Sequence, residues 1–264
     1  MECDMALTPQ QSYQIKDYLI KKVRDKLATY NPETNSMPFH FRLLGKDRMA
    51  LFSFIQSLNT MLGTSIFEQV GKMIAEPRAN RAIGQYKEFE GYISSEAALR
   101  IDNIMRDLCS GSRDPDKDKE VNEILAVADK GDLGNKLKKR VDLFVEMKDG
   151  SEYYFEVKTA KPNINEFTSI KKQMLDWIAM RGSTKFKTVI KTIVAIPYNP
   201  YEPKPYQRWT LRGLLDVHQE LLVGSEFWDL LGGKNTYVDL LNVFEEAGLE
   251  LYEEIDKKMK NLKN

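Results

Sequence analysis

Three residues have the types and spacing to do chemistry together: Asp142, then Glu156 and Lys158 in a Glu-x-Lys, all within RVDLFVEMKDGSEYYFEVKTAK at residues 140–161. Two carboxylates at strand-neighbour distance make a hard oxygen site suited to Mg²⁺, which keeps several waters and takes its remaining ligands from a substrate phosphate. A lysine beside them can orient or deprotonate a water attacking a phosphodiester, and offset charge building on a phosphorane-like transition state. The alternative is an amphipathic hairpin whose charged face is simply solvated, because Asp followed by Glu-x-Lys is a short pattern.

Positioning these groups takes two strands in a defined register. Val141, Leu143, Val145 and Met147 alternate with Asp142, Phe144 and Glu146, and Tyr153, Phe155 and Val157 alternate with Tyr154, Glu156 and Lys158. That is the period of half-buried strands. Lys148-Asp149-Gly150-Ser151 between them is a turn signal. A two-residue loop at Asp149-Gly150 opposes Asp142 to Val157 and mixes polar with apolar faces. A three-residue loop, with Gly150 left-handed in a bulge, pairs Met147 with Ser151 and hence Asp142 with Glu156. Asp142, Glu156 and Lys158 then converge on one face, and Leu143, Phe155 and Val157 pack on the other.

The flanking pattern supplies an α/β frame. Residues 165–180 read as an amphipathic helix and 188–196 as a β-branched buried strand, so hairpin, crossover helix and a following parallel strand predict a mixed β-sheet flanked by helices. A helix starting near Thr8, with Pro9 in its first turn, carries Tyr13, Tyr18, Leu19, Val23 and Leu27 and ends near Asn31-Pro32. A second helical block covers 46–74, bent around Gly63 and closed by Pro77, and a helical or irregular stretch covers 93–108. The charged, turn-rich SGSRDPDKDKE reads as a solvent-facing loop, 121–128 as a short helix, 197–205 as an ordered Pro- and Tyr-rich loop, and the chain from Leu211 as helical with a basic tail. One domain is expected over 1–264: a helical N-terminal part to about 110, a catalytic α/β core at about 119–200 and a helical C-terminal part from about 208.

The hairpin resembles the core of the PD-(D/E)XK nuclease superfamily, with Val141 in place of the proline that usually precedes the aspartate. Three longer stretches, FHFRLLGKDRMALFSFIQSLNTMLGTSIFEQV from Phe39, IPYNPYEPKPYQRWTLRGLLD from Ile196 and EFWDLLGGKNTYVDLLNVFEE from Glu226, together with it resemble the TdeIII-type family of type II restriction endonucleases. The resemblance runs from about Phe39 to about Leu251. It implies a restriction-endonuclease-like α/β core and Mg²⁺-dependent cleavage of double-stranded DNA at a short palindrome, GGNCC-like, leaving 5′-phosphate and 3′-hydroxyl ends. It also implies metal ligation by Asp142, Glu156 and the Val157 backbone carbonyl. Members of the superfamily frequently add an acid from a helix ahead of the hairpin; Glu68 in GTSIFEQV is the candidate and Glu76 the fallback.

Lys172 and Gln173 on the helix after Lys158 are candidates to touch the scissile phosphate, with Asp176 a weaker one. Arg181 and Arg208 are candidates to read guanine by paired bonds, and Lys185 and Lys187 to contact phosphates. For each, a surface charge or a structural carboxylate partner is the alternative. Trp209 and Trp228 read as core or interface aromatics, because duplex cleavage leaves no exposed base to stack on. Cutting both strands of a palindrome calls for two-fold related active sites, so a homodimer is expected.

Lys plus Arg and Asp plus Glu balance at 39 each. The chain therefore lacks the overall basic excess that often marks nucleic-acid binding, and any such interface must be a locally positive cleft. With only Cys3 and Cys109, and no apolar signal or membrane segment near the amino terminus, a reduced cytoplasmic setting is expected. His40 and His218 stand too far apart in sequence to suggest ligation, and Gly232-Gly233-Lys234-Asn235-Thr236 lacks the spacing of a phosphate loop, so no nucleotide cofactor is assigned. Three functions remain: a site-specific restriction enzyme, a structure-specific or repair nuclease of the same fold, and a non-catalytic DNA-binding or assembly protein. The large portion outside the core argues against the second, and the intact triad against the third.

Overall fold

In a computed structural model of the chain, residues 6–31, 37–159, 161–184, 188–211 and 213–263 are described. They build helices α1 (Pro9–Thr29), α2 (Pro38–Leu44), α3 (Lys46–Met61), α4 (Phe67–Ala75), α5 (Ser95–Ser110), α6 (Lys117–Leu125), α7 (Ile164–Gly182), α8 (Ser225–Gly232) and α9 (Thr236–Lys263) around strands β1 (Ala79–Gly91), β2 (Leu137–Met147), β3 (Glu152–Val157), β4 (Ile190–Ile196) and β5 (Leu221–Val223). The strands form one sheet in the order β1-β2-β3-β4-β5. The first three are antiparallel, whereas β3-β4 and β4-β5 are parallel, giving the expected mixed sheet.

The hairpin has the register that parity selects. Leu143 pairs with Phe155 and Glu146 with Glu152, a frame that sets Asp142 opposite Glu156. Met147 N–H donates to Ser151 O at 2.9 Å and Gly150 N–H to Met147 O at 2.9 Å. Gly150 has φ +81°, the left-handed conformation that closes a three-residue loop without the strain a Cβ brings.

Alternation then divides the core into two layers. Leu143, Val145, Phe155, Val157, Ile193 and Ala195 pack against α1, α4, α8 and α9, while Phe144, Tyr154, Ile190, Val194 and Ile196 pack against α5, α6 and α7. Burying each such large side chain contributes about 1.5–3 kcal/mol, which makes a one-residue slip of the hairpin very costly. Helix α7 is central. Asn163 and Glu166 form a reciprocal capping box at its start, and Phe167, Met174, Leu175, Trp177 and Ile178 are fully buried.

Several elements differ from the sequence reading. The segment 79–91, within the part expected to be helical, is the long edge strand β1. Its charged and small residues carry little alternation, and it is held by β2 on one side and by α4 across its face. The loop expected at 110–120 already contains the start of α6, whose Lys117 and Glu120 are buried rather than solvated. Beyond Leu211 the chain makes the short strand β5 before α8 and α9 begin. The bend expected at Gly63 is a π-helical turn, Leu62–Ile66, joining α3 to α4; such one-turn bulges shift the direction of the helix that follows.

Candidate active site

The site lies where β2 and β3 meet the start of α4 and the middle of α7. Asp142 is buried and accepts the Val157 N–H on Oδ2 at 3.0 Å. Its Oδ1 lies 3.0 Å from Arg140 Nε. Glu156, also buried, pairs with Lys158 Nζ at 2.7 Å through Oε1 and accepts from Gln173 Nε2 at 2.8 Å through Oε2. Glu68 is fully buried on the first turn of α4, with Oε1 2.6 Å from Arg140 Nη2 and Oε2 buried without a hydrogen-bond partner. The structure therefore brings together Asp142, Glu156, Lys158, Glu68 and Gln173.

Arg140 is a member that sequence reasoning missed. It occupies the same strand face two residues before Asp142 and bridges Glu68 to Asp142, a parity signal visible in the sequence once the hairpin is set. Gln85 was also missed. It sits in β1 with φ +53° and donates to Thr64 O in the π turn at 2.9 Å, fastening the edge strand beside Glu68. The neighbouring Gly84 admits that approach, since a Cβ there would lie 3.0 Å from Glu68 O. No local sequence signal announces Gln85, because its strand was not legible.

Electrostatically the carboxylates outweigh their partners. Burial pushes the Glu68 carboxyl up to about 7, reinforced by the charge of Asp142 and opposed by Arg140. Burial and Asp142 likewise raise Glu156, against the pull of Lys158. Burial alone lowers a lysine, yet the adjacent Glu156 charge and hydrogen bond overcome it and hold Lys158 above its ordinary value. The lysine is thus cationic at neutral pH.

The donor set fits a hard divalent cation. Among the described residues no three His, Cys, Asp or Glu side chains form a ready-made metal cage. Mg²⁺ does not need one, since it is held by one or two carboxylates with waters and substrate phosphate, and the buried Glu68 Oε2, which accepts no hydrogen bond, adds a hard oxygen donor beside Asp142 and Glu156.

The other candidates spread outward. Lys172 is half exposed and pairs with Asp102 Oδ1 at 3.1 Å, while Asp176 is buried beside Lys139 at 2.6 Å. Arg208 Nη2 donates to Pro162 O at 2.8 Å, holding the loop after Lys158, and its Nε is buried without a partner. Arg181 lies farther along α7 and forks onto the buried Glu152, with Nε to Oε2 at 2.6 Å and Nη2 to Oε1. Lys185 and Lys187 lie outside the described residues. The fallback Glu76 caps the C-terminal end of α4 and pairs with Lys72, away from the hairpin carboxylates. Trp228 is a core residue whose Nε1 donates to Pro197 O at 2.9 Å, whereas Trp209 is largely exposed. Lys158, Thr159, Lys161, Glu166 and Tyr198 line an open cleft of about 520 Å³ beside the triad.

No helix among the described residues is long and apolar enough to cross a membrane. The chain is 28% identical to the type II restriction enzyme HgiCII of Herpetosiphon aurantiacus, an alignment covering 97% of this chain and 100% of that one. It is 26% identical to HgiEI of the same organism, over 97% and 99% of the two chains. With the type II restriction enzyme MjaII of Methanocaldococcus jannaschii it shares 26% identity over 85% of this chain and 66% of that one. The family model described as type II restriction endonuclease, HinfI, matches residues 7–248, a span holding the whole sheet and every group of the site. A paired-carboxylate and lysine site on a mixed sheet, with likeness extending nearly end to end, places this chain in the HinfI family of type II restriction endonucleases.

Proposed function

We propose that this endonuclease hydrolyses both strands of double-stranded DNA at a short, GGNCC-like palindrome in a Mg²⁺-dependent reaction, leaving 5′-phosphate and 3′-hydroxyl ends, as a cytoplasmic homodimer. The observation that carries the reading is the convergence of Asp142, Glu156 and Lys158 on one sheet face, with the buried Glu68 beside them.

Asp142, Glu156, Glu68 and the Val157 carbonyl are the groups that would hold the cation. When bound, Mg²⁺ supplies Lewis acidity at the phosphate and lowers the pKa of a coordinated water. Lys158, held cationic beside Glu156, is suited to orient the attacking water and offset charge building on the phosphate oxygens. Gln173 fixes the Glu156 carboxylate from α7. Arg140 pairs with both Glu68 and Asp142 and offsets part of their charge.

Lys172 is our phosphate contact, together with Lys185 and Lys187 from outside the described residues, and Arg208 and Arg181 are our base readers. Arg208 lies next to the loop following Lys158, and Arg181 must exchange Glu152 for guanine to serve. The test is incubation with unmethylated plasmid or phage DNA and Mg²⁺, beside Asp142→Ala, followed by sequencing of fragment ends. Discrete fragments sharing one palindrome and absent with the variant are expected; cleavage without a common sequence, or cleavage retained by the variant, sinks the reading.

A further inference from the structure

Helix α2 has the sequence PFHFRLL, and not one of its seven residues is buried. Phe39 is 85% exposed and Leu43 84%. A helix this short has little stability of its own in water, so a partner must supply the burial that the single chain withholds. Helix α3, on which α2 packs, has the same excess. Its Met49, Ala50 and Phe54 are buried toward the core side, with Phe54 packed beside Leu27 and Tyr30. Leu51, Phe52 and Ile55 are nevertheless exposed on its other side. A large apolar stripe opposite the core-facing one needs a second surface to cover it.

We propose that the α2–α3 face is the surface through which two copies of this chain associate, Phe39, Leu43, Leu44, Leu51, Phe52 and Ile55 of each copy meeting their counterparts about a two-fold axis. Six side chains of this size and exposure offer apolar area of the order of the roughly 800 Å² that each partner buries in a standard interface, more than the patch of about 300–600 Å² typical of a monomer. A self-facing apolar patch is what an isologous contact requires. DNA is a poor occupant, since its backbone is recognised by cations and hydrogen-bond donors, not by Phe and Leu. A groove of about 650 Å³ beside this face, lined by Met37, Met49, Phe52, Met61, Thr64 and Ser65, gives the opposite copy a place to seat side chains.

The position also suits the reaction. Helix α3 passes through the π turn directly into α4, which carries Glu68, so a contact through α3 ties the spacing of two catalytic sites to the pairing of the chains. The inference rests on the double-strand cleavage proposed above, and the experiment separates the two. Sedimentation of the full chain across a micromolar concentration range is compared with a Phe39→Asp/Leu43→Lys double variant and with a Leu241→Lys/Leu249→Lys control on the exposed side of α9. Plasmid cleavage is followed in parallel, and circular dichroism checks folding.

Wild type and control are expected to be dimeric. The α2 variant, altered only at exposed positions, is expected to keep its fold, to dissociate with a Kd raised at least about 100-fold, and to lose linearisation of plasmid at low concentration. A monomeric wild type, an α2 variant that remains dimeric, or dissociation caused by the α9 changes in place of the α2 changes overturns the inference. A dimer that breaks as expected but never cuts DNA leaves this interface standing and removes the proposed function.

Discussion

Two clusters of buried charge share helix α7 and behave in opposite ways. Lys171 points into a closed network, lying 2.6 Å from both Glu120 and Glu220, while Lys117 reaches Glu220 at 2.8 Å and Thr192 at 2.5 Å. All of these groups are buried, and two lysines balance two glutamates. Two residues along, Gln173 points to Glu156, in a cluster where, among the described residues, Glu68, Asp142 and Glu156 pair with the cations Arg140 and Lys158, both partly open to solvent. The first cluster is balanced in charge by the chain itself, although Glu120 Oε1 is buried without a hydrogen-bond partner and burial holds the Glu120 carboxyl above its ordinary value. The second has an acidic excess, a charge that a hard cation complements. Burial by itself therefore does not distinguish the two clusters; the unmatched charge does.

The lysines break the comparison most sharply. Lys158→Ala is expected to lower hydrolysis by about 10³-fold or more while leaving the unfolding midpoint nearly unchanged and DNA binding in Ca²⁺ intact; lost binding instead makes it a structural lysine. Lys171→Met is expected to do the reverse. It leaves Glu120 and Glu220 buried without their shared partner, a destabilisation of about 3–5 kcal/mol measurable by urea unfolding, with activity per folded molecule retained.

Titration gives Glu68 and Glu220 opposite signs, while burial raises Glu120 of the first cluster just as it raises Glu68. Glu68 is raised in the folded chain from 4.5 to about 7, so its contribution to stability is present below pH 4.5 and lost as pH rises toward 7, by at most about 3 kcal/mol. In Glu220 burial alone acts upward, but Lys117 and Lys171 prevail and hold it below its ordinary value. Its contribution is present above that ordinary value and disappears as pH falls through the depressed one. In metal-free buffer, Glu68→Gln should lessen the loss of stability between pH 4.5 and 7, to which the raised Glu156 and Glu120 also contribute, without altering the acid limb; an unchanged slope removes the assignment of strain to Glu68.

Arg181 gives the smallest and most discriminating effect. Arg181→Gln leaves the buried Glu152 without its fork and is expected to cost about 1–3 kcal/mol of stability. Fragment-end sequencing then decides its second role. Relaxed preference at one base position makes it a reader, and an unchanged preference leaves it a structural pair.

What the sequence determined by itself was local and periodic. Alternation and the Asp149-Gly150 turn set the hairpin register, and with it the meeting of Asp142 and Glu156, because a one-residue slip turns every side chain to the wrong face. Pro9 in its first turn marked α1 and its amphipathic period marked α7, and the parallel placement of β4 followed from the crossover helix. Tertiary structure alone decided β1, whose residues lack alternation and become a strand only by pairing with β2. It also decided the burial of Lys117 and Glu120 in what reads as a charged loop, and the bridge from Arg140 to Glu68 across 72 residues of chain. The physical reason is that charge is read from sequence as solvated. Whether it is buried, balanced or left wanting depends on partners brought together only by packing.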